Sequence, residues 1–192
     1  MNFTWMASAL NTESEQYLEI VEHDGEIPDE FPSEYDDVVA TAYNAKLTNF
    51  RYYRATMTGL KADTRYIYRV GDGYNYSAIY SFKTVSGGDT FNFVALGDAQ
   101  LGTNGNVEND LPSWTETLST ATNSFSPSFI MHLGDEVESW DGNAIQIPQS
   151  ETEYQVFYGT EYTSSVPFAN VIGNHEVSKA NWSDHHNNPN QT

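Results

Sequence analysis

The 192-residue chain carries 27 acidic and 8 basic residues, a formal charge of −19, which argues against a nucleic-acid backbone or an anionic membrane as partner for its surface as a whole. Without cysteine it has neither a disulfide framework nor a thiolate metal site. It also shows no apolar run of about 18 residues and no basic-then-apolar leader after Met1, hence no membrane span and no signal peptide.

The length accommodates one ordinary domain or two small ones. Seven of the eight cations fall between Lys46 and Lys83, and Lys179 is the only one after them. Low lysine, abundant Ser, Thr, Asn and Tyr, and strong acidity point to an extracellular, cell-surface or salt-adapted protein. In chain order, FTWMA from Phe3 and YLEIV from Tyr17 read as strands, and the acidic, proline-containing DGEIPDEFPSEYDD that follows reads as a loop. From Phe50 to Gly73 residue character alternates at period two on either side of a turn at Gly59 to Thr64, and Ser77 to Thr84 adds a shorter run of the same kind. Short Tyr-, Val-, Ile- and Thr-rich strands without a helical period predict a β-sandwich. Leu60, Asp63, Thr64, Tyr66 and Tyr68 in GLKADTRYIYRVGDG, followed by YSFKT, resemble a fibronectin type III-like domain of the kind that precedes the catalytic domain in purple acid phosphatases, with Tyr66 at the place of the tyrosine corner. Against that pattern the chain opens on what reads as the second strand.

The small, polar TVSGGDT from Thr84 to Thr90 suits a domain boundary. Beyond it the pattern changes: apolar runs at Phe91 to Leu96, Ser128 to Leu133 and Pro167 to Ile172 alternate with a helix start at Trp114 to Ala121. Such runs predict parallel strands buried between two layers, whose carboxyl-end loops gather in one crevice.

All three runs end on a glycine followed by a ligand-type residue: GDAQ places Asp98 after Gly97, GDEVE places Asp135 after Gly134, and GNHE places Asn174 after Gly173. A glycine at a strand exit permits a sharp turn and close backbone approach. Carboxylate oxygens suit hard or borderline divalent ions, and a central carboxylate can bridge two of them. The separations of 37 and 39 residues each hold one crossover connection. Any one Gly-Asp alone reads as a turn, His175 alone as a hydrogen-bonded loop residue and Glu176 as a loop carboxylate. Their recurrence at three strand ends is what points to a site.

GDAQ, GDEVE and GNHE resemble the first three motifs of the calcineurin-like metallophosphoesterases, and the preceding sandwich points to the purple acid phosphatase branch. The resemblance implies a mainly β sandwich over residues 1–86 and an incomplete α/β metallophosphoesterase domain over 91–192. It implies hydrolysis of phosphate esters by a metal-bound hydroxide at a centre of two divalent ions, zinc, manganese or iron, with Asp98 on the first ion, Asp135 bridging and Asn174 on the second. His175 would be a proton donor or phosphate contact beside the leaving group. Gln100 stands where many members have a histidine, and Glu138 stands where purple acid phosphatases have a tyrosine; Glu138 is thus a weak metal candidate, with Tyr154 or Tyr158 as the alternative phenolate. Later histidine motifs have no counterpart after Glu176, and His185 and His186 read as substrate-cleft or solvent residues. The chain is therefore expected to be an internal piece of a longer enzyme that lacks the C-terminal half of its catalytic domain. A second reading is a non-catalytic β-sandwich binding or cell-surface module with a vestigial phosphoesterase half.

Overall fold

The computed structural model describes residues 1–8, 15–44, 50–138, 146–176 and 181–188. Lys46, Lys179 and the end of the NWSDHHNNPNQT loop lie outside them. The described residues form two compact units, Met1–Thr90 and Phe91–Asn188.

The first unit is a sandwich of two antiparallel sheets. One sheet has the order β1 (Asn2–Ser8), β5 (Phe50–Thr56), β4 (Thr41–Asn44); the other has β3 (Asp36–Val39), β2 (Tyr17–Glu22), β6 (Arg65–Gly71), β7 (Tyr80–Lys83). The period-two pattern sets the core: Leu18 and Ile20 alternate on β2, Tyr66, Tyr68 and Val70 on β6, and Phe3 and Trp5 on β1, all packed with Ala55, Met57 and Phe82. The turn at Gly59 to Thr64 joins the two sheets rather than closing a hairpin, because β5 pairs with β1 and β4 while β6 pairs with β2 and β7. The Tyr66 hydroxyl accepts from the Lys61 backbone N–H at 2.9 Å, which ties that turn to β6 as a tyrosine corner does.

Two short strands, β3 and β4, were not legible. β3 starts inside the acidic segment read as loop, at Asp36, and pairs Ile20 with Asp36 and Leu18 with Val38; four-residue strands with exposed aspartates carry too little pattern to announce themselves. From the rest of that segment Phe31 reaches Arg69 on the outer face of the sheet. There the buried Glu19 carboxylate takes Arg69 Nε at 2.6 Å, and the Arg69 guanidinium sits 4.6 Å from the Phe31 ring and 3.6 Å from the Tyr76 ring.

The second unit is α/β. Its sheet is parallel, in the order β10 (Phe168–Asn170), β9 (Phe129–His132), β8 (Phe93–Leu96), with Val94, Ile130 and Phe168 in register. Helix α1 (Val107–Phe125) forms the crossover from β8 to β9, and α2 (Gln146–Tyr158) and α3 (Glu161–Ser165) precede β10. The Asn106 side chain caps α1 by accepting from Glu108 N, and Ser126 closes it in the left-handed conformation at φ 43°. Trp114, Leu118 and Ala121 recur at helical spacing on one face of α1 and pack with Leu101, Ile130, Phe157 and Val166.

The expectation of strands buried on both faces is corrected here. Among the described residues one face of the sheet carries the helices, while the other shows Phe93 stacked on Phe129 at 5.3 Å and 3°, with Phe91 against both. Phe91 and Phe93 are 58% and 47% exposed.

Candidate functional site

The carboxyl ends of the three strands form one edge, and backbone hydrogen bonds carry the pairing past the strands into the loops. Asp98 N donates to Gly134 O at 3.1 Å, Gln100 N to Asp135 O at 2.9 Å and Leu101 N to Glu136 O at 3.2 Å. On the other side Val171 N donates to His132 O at 2.9 Å. Here the glycines serve close approach more than turning. A Cβ on Gly134 would stand 2.5 Å from the Gly173 backbone, and one on Gly173 would stand 2.2 Å from Asp135 Oδ1. Gly134 also turns, at φ 99°, and residues after the glycines continue the turns: Asp98, Gln100 and Asp135 have φ of 54°, 42° and 56°. Side chains held in this sparsely populated region store strain of about 1–3 kcal/mol each and gather at functional sites.

Asp135 is 8% exposed, and its Oδ1 accepts from His175 N at 3.0 Å. Asp98 and Asn174 are exposed on the flanking loops. Glu176, read from sequence as a loop carboxylate, has a larger part. Fully buried, it accepts from Asp135 N at 2.9 Å, Glu136 N at 2.8 Å, Val137 N at 3.3 Å and Gly173 N at 2.9 Å. One side chain thereby locks the Asp135 and Asn174 loops together and satisfies backbone donors that no strand could. The only sequence signal for this was its place directly after Gly-Asn-His.

His175 is held at both ring nitrogens. Nδ1 lies 2.8 Å from Glu138 O, which can only accept, so Nδ1 carries a proton. Nε2 faces the Gln100 side-chain nitrogen at 3.3 Å. The Glu138 carboxylate is 4.0 Å from His175 Nδ1 and accepts from Thr103 Oγ1 at 3.1 Å. The two positions where the sequence departs from the resemblance, Gln100 and Glu138, are thus both turned to His175. Asp98, Gln100 and Thr103 also line a cleft of about 330 Å³ against Asp110, Ser113 and Trp114 of α1, and Asp110 holds the loop by accepting from Gly102 N at 2.8 Å.

Two carboxylates and a neutral amide oxygen are donors suited to a hard or borderline divalent ion, and an ion of that kind fits the chemistry of the set. Donor number is smaller than two ions require: among the described residues no group of three or more His, Cys, Asp or Glu side chains is arranged to hold a metal.

His185 and His186 are corrected outright. Both are buried, 7% and 3% exposed, and belong neither to solvent nor to an open cleft. His185 ends α4 (Trp182–His185) and His186 follows it, both in a polar cluster where His185 Nε2 lies 3.4 Å from the Glu151 carboxylate and His186 Nε2 lies 3.1 Å from Glu136 Oε1. Tyr158 gives its hydroxyl to this cluster, 2.7 Å from His186 Nε2 and 2.8 Å from Asn170 Nδ2, and Tyr154 stacks on His185 at 3.9 Å. Burial first, and then the nearby carboxylates of Glu136 and Glu176, push both phenols well above their usual 10.0. His132, fully buried and with neither ring nitrogen hydrogen-bonded among the described residues, is pushed down from 6.5 to about 4 by burial and by His186, against a smaller opposing pull from Asp135.

Residues 1–84 match the profile described as Purple acid Phosphatase, N-terminal domain. A solved structure described as "Structure of PhoD" is similar at a TM-score of 0.52 and 12% identity, over 88% of this chain and 33% of that one. The chain thus spans a third of the length of that structure, and the likeness is one of fold. No curated protein matches the sequence at a significant level. With its tyrosine corner and its sandwich topology, the segment 1–84 is similar to the N-terminal domain of purple acid phosphatases, and an α/β unit follows it.

Proposed function

We propose that the second unit carries a divalent-ion-dependent phosphate-ester site of the metallophosphoesterase type, with Asp98, Asp135 and Asn174 as the ion-binding set and His175 as the proton donor or phosphate contact. The observation that carries this reading is the junction at Asp135: a left-handed, nearly buried carboxylate whose Oδ1 is fixed by the backbone of His175. Divalent zinc, manganese or iron would neutralise charge on the transferring phosphoryl group and activate the attacking water. The chain's own residues then have distinct tasks. Asp135 and Asp98 supply negative charge at adjacent strand exits, and Glu176 holds the Asp135 backbone. His175 keeps one proton at Nδ1 against Glu138 O, which leaves Nε2 as the atom that passes a proton. From Phe91 onward the sequence has a single Lys or Arg, Lys179, so a phosphate ester finds almost no cationic side chain here and its binding depends on the ions.

The absence of a metal-holding cluster among the described residues favours a second reading for this chain by itself. In it, the β-sandwich is a non-catalytic binding or cell-surface module, and the phosphoesterase half is vestigial. That reading is the better supported for the isolated 192 residues, and the chemistry above belongs to a protein that supplies further ligands. Purified chain titrated with zinc, manganese and iron, and assayed with an aryl phosphate, separates the two. Weak dication binding with turnover at background supports the module; turnover of roughly 1 to 10³ per second supports the enzyme.

A further inference from the structure

Three supports hold Asp135 in its left-handed turn. Two come from the neighbouring loops: the Glu176 carboxylate on the amides of Asp135, Glu136 and Val137, and the carbonyls of Asp135 and Glu136 bonded to Gln100 N and Leu101 N. The third comes from elsewhere in the chain. Glu136, fully buried and directly after Asp135, lies with Oε1 3.1 Å from His186 Nε2. His186 is itself fixed: Nδ1 donates to Trp182 O at 2.6 Å, its ring stacks on Trp182 at 4.3 Å, and Tyr158 OH lies 2.7 Å from Nε2. Asn170, at the end of β10, donates to that hydroxyl at 2.8 Å and accepts at its backbone oxygen from Asn188 Nδ2 at 2.9 Å. A chain of hydrogen bonds thus runs from the ends of β10, α2 and α4 to the residue beside Asp135.

We propose that His186 is a positioning residue for the Asp135 loop, acting through Glu136, with Tyr158 and Asn170 fixing its ring. This rests on the reading of Asp135 as an ion ligand. The buried Glu136 carboxylate is the lever: loss of the His186 nitrogen makes it redistribute its polar contacts, and its backbone is continuous with the left-handed turn at Asp135. His185 provides the internal control. It lies next in sequence and is as deeply buried, but its carboxylate partner is Glu151 on α2.

The test uses the whole chain with Mn²⁺ alone as ligand, followed by titration calorimetry, and amide hydrogen exchange without metal. His186→Ala should weaken Mn²⁺ binding about tenfold, the low end for groups that orient metal ligands, and should lower protection of the Asp135 and Glu136 amides about tenfold. His186→Gln, which keeps a donor toward Glu136, should recover most of both. Tyr158→Phe, which removes only a hydroxyl, should lower the same protection by a smaller factor. His185→Ala should leave both readings within about twofold. Equal effects of His185→Ala and His186→Ala, or wild-type protection in His186→Ala, would overturn the proposal. Asp135→Asn tests the underlying reading separately: if it leaves the Mn²⁺ titration unchanged, Asp135 is no ligand, and the exchange data alone decide whether His186 positions the loop.

Discussion

Asp135 and His175 are adjacent in space and opposite in expected phenotype. Asp135→Asn removes negative charge from the centre of the site but keeps its shape, so divalent-ion affinity should collapse. In a protein with a complete ligand set, turnover should fall by at least about 10²-fold. His175→Ala removes a ring whose proton is held against Glu138 O rather than a donor to the ion set. It should spare metal affinity and lower the rate by about 10² to 10⁴; calorimetry and steady-state rates read the two separately, and loss of metal in His175→Ala would make His175 a ligand. His132 supplies a pH test. Its folded-state value of about 4 lies below the ordinary 6.5, so between those values the unfolded chain binds a proton that the folded chain refuses. The contribution of neutral His132 is complete above about pH 6.5 and is lost as pH falls towards 4, a difference of about 3 kcal/mol. His132→Leu should flatten that part of the stability-against-pH curve, measured by denaturant unfolding, and an unchanged slope would assign the acid sensitivity to other groups.

At the scale of elements, α1 supplies Trp114, Leu118 and Ala121 to the core of the second unit. Leu118, fully buried on its inner face, should cost about 2–5 kcal/mol when replaced by Ala, and the Asn106 cap about 1 kcal/mol. The sandwich has its own core, so thermal unfolding of Leu118→Ala followed by segment-resolved hydrogen exchange should lower protection beyond Phe91 and leave β2 and β6 unchanged. The bare face of the parallel sheet makes a different prediction. The exposed Phe91 and Phe93 rings, stacked with Phe129, form the kind of apolar patch that drives association. Phe93→Thr keeps β propensity and breaks the stack, and it should reduce self-association in light scattering.

For the whole molecule the charge of −19 decides the response to salt. The ion pairs Lys61–Glu22 and Lys83–Asp63 are largely exposed and contribute little, so screening them removes little. Screening the repulsion among 27 carboxylates relieves more, because the Debye length shrinks from about 10 Å at 0.1 M to about 3 Å at 1 M. The melting temperature should therefore rise by a few degrees over that range; a fall would mean the local pairs outweigh the global repulsion. Colour is a second whole-protein test. Tyr158 is tied into the buried network and both candidate phenols resist ionisation, so iron-loaded protein should lack an intense visible phenolate band.

The amino-acid sequence by itself determined the sandwich, the switch to parallel strands after Thr90, and the three Gly-led loops, because each of these is written in short-range pattern. Alternation at period two puts Leu18 and Ile20 inward, and glycine is required wherever two backbones come within contact, as at Gly134 and Gly173. Tertiary structure alone decided which partner each polar side chain took. Glu176 was legible as a carboxylate beside a histidine but not as the clasp of two loops, since its four donors come from residues up to 41 positions away. His185 and His186 read as substrate-cleft or solvent residues in a polar segment, and only the packing of α4 against α2 buried them among Glu151, Glu136, Tyr154 and Tyr158. A polar residue's fate depends on whether distant groups satisfy it once water is excluded, and no local pattern carries that information.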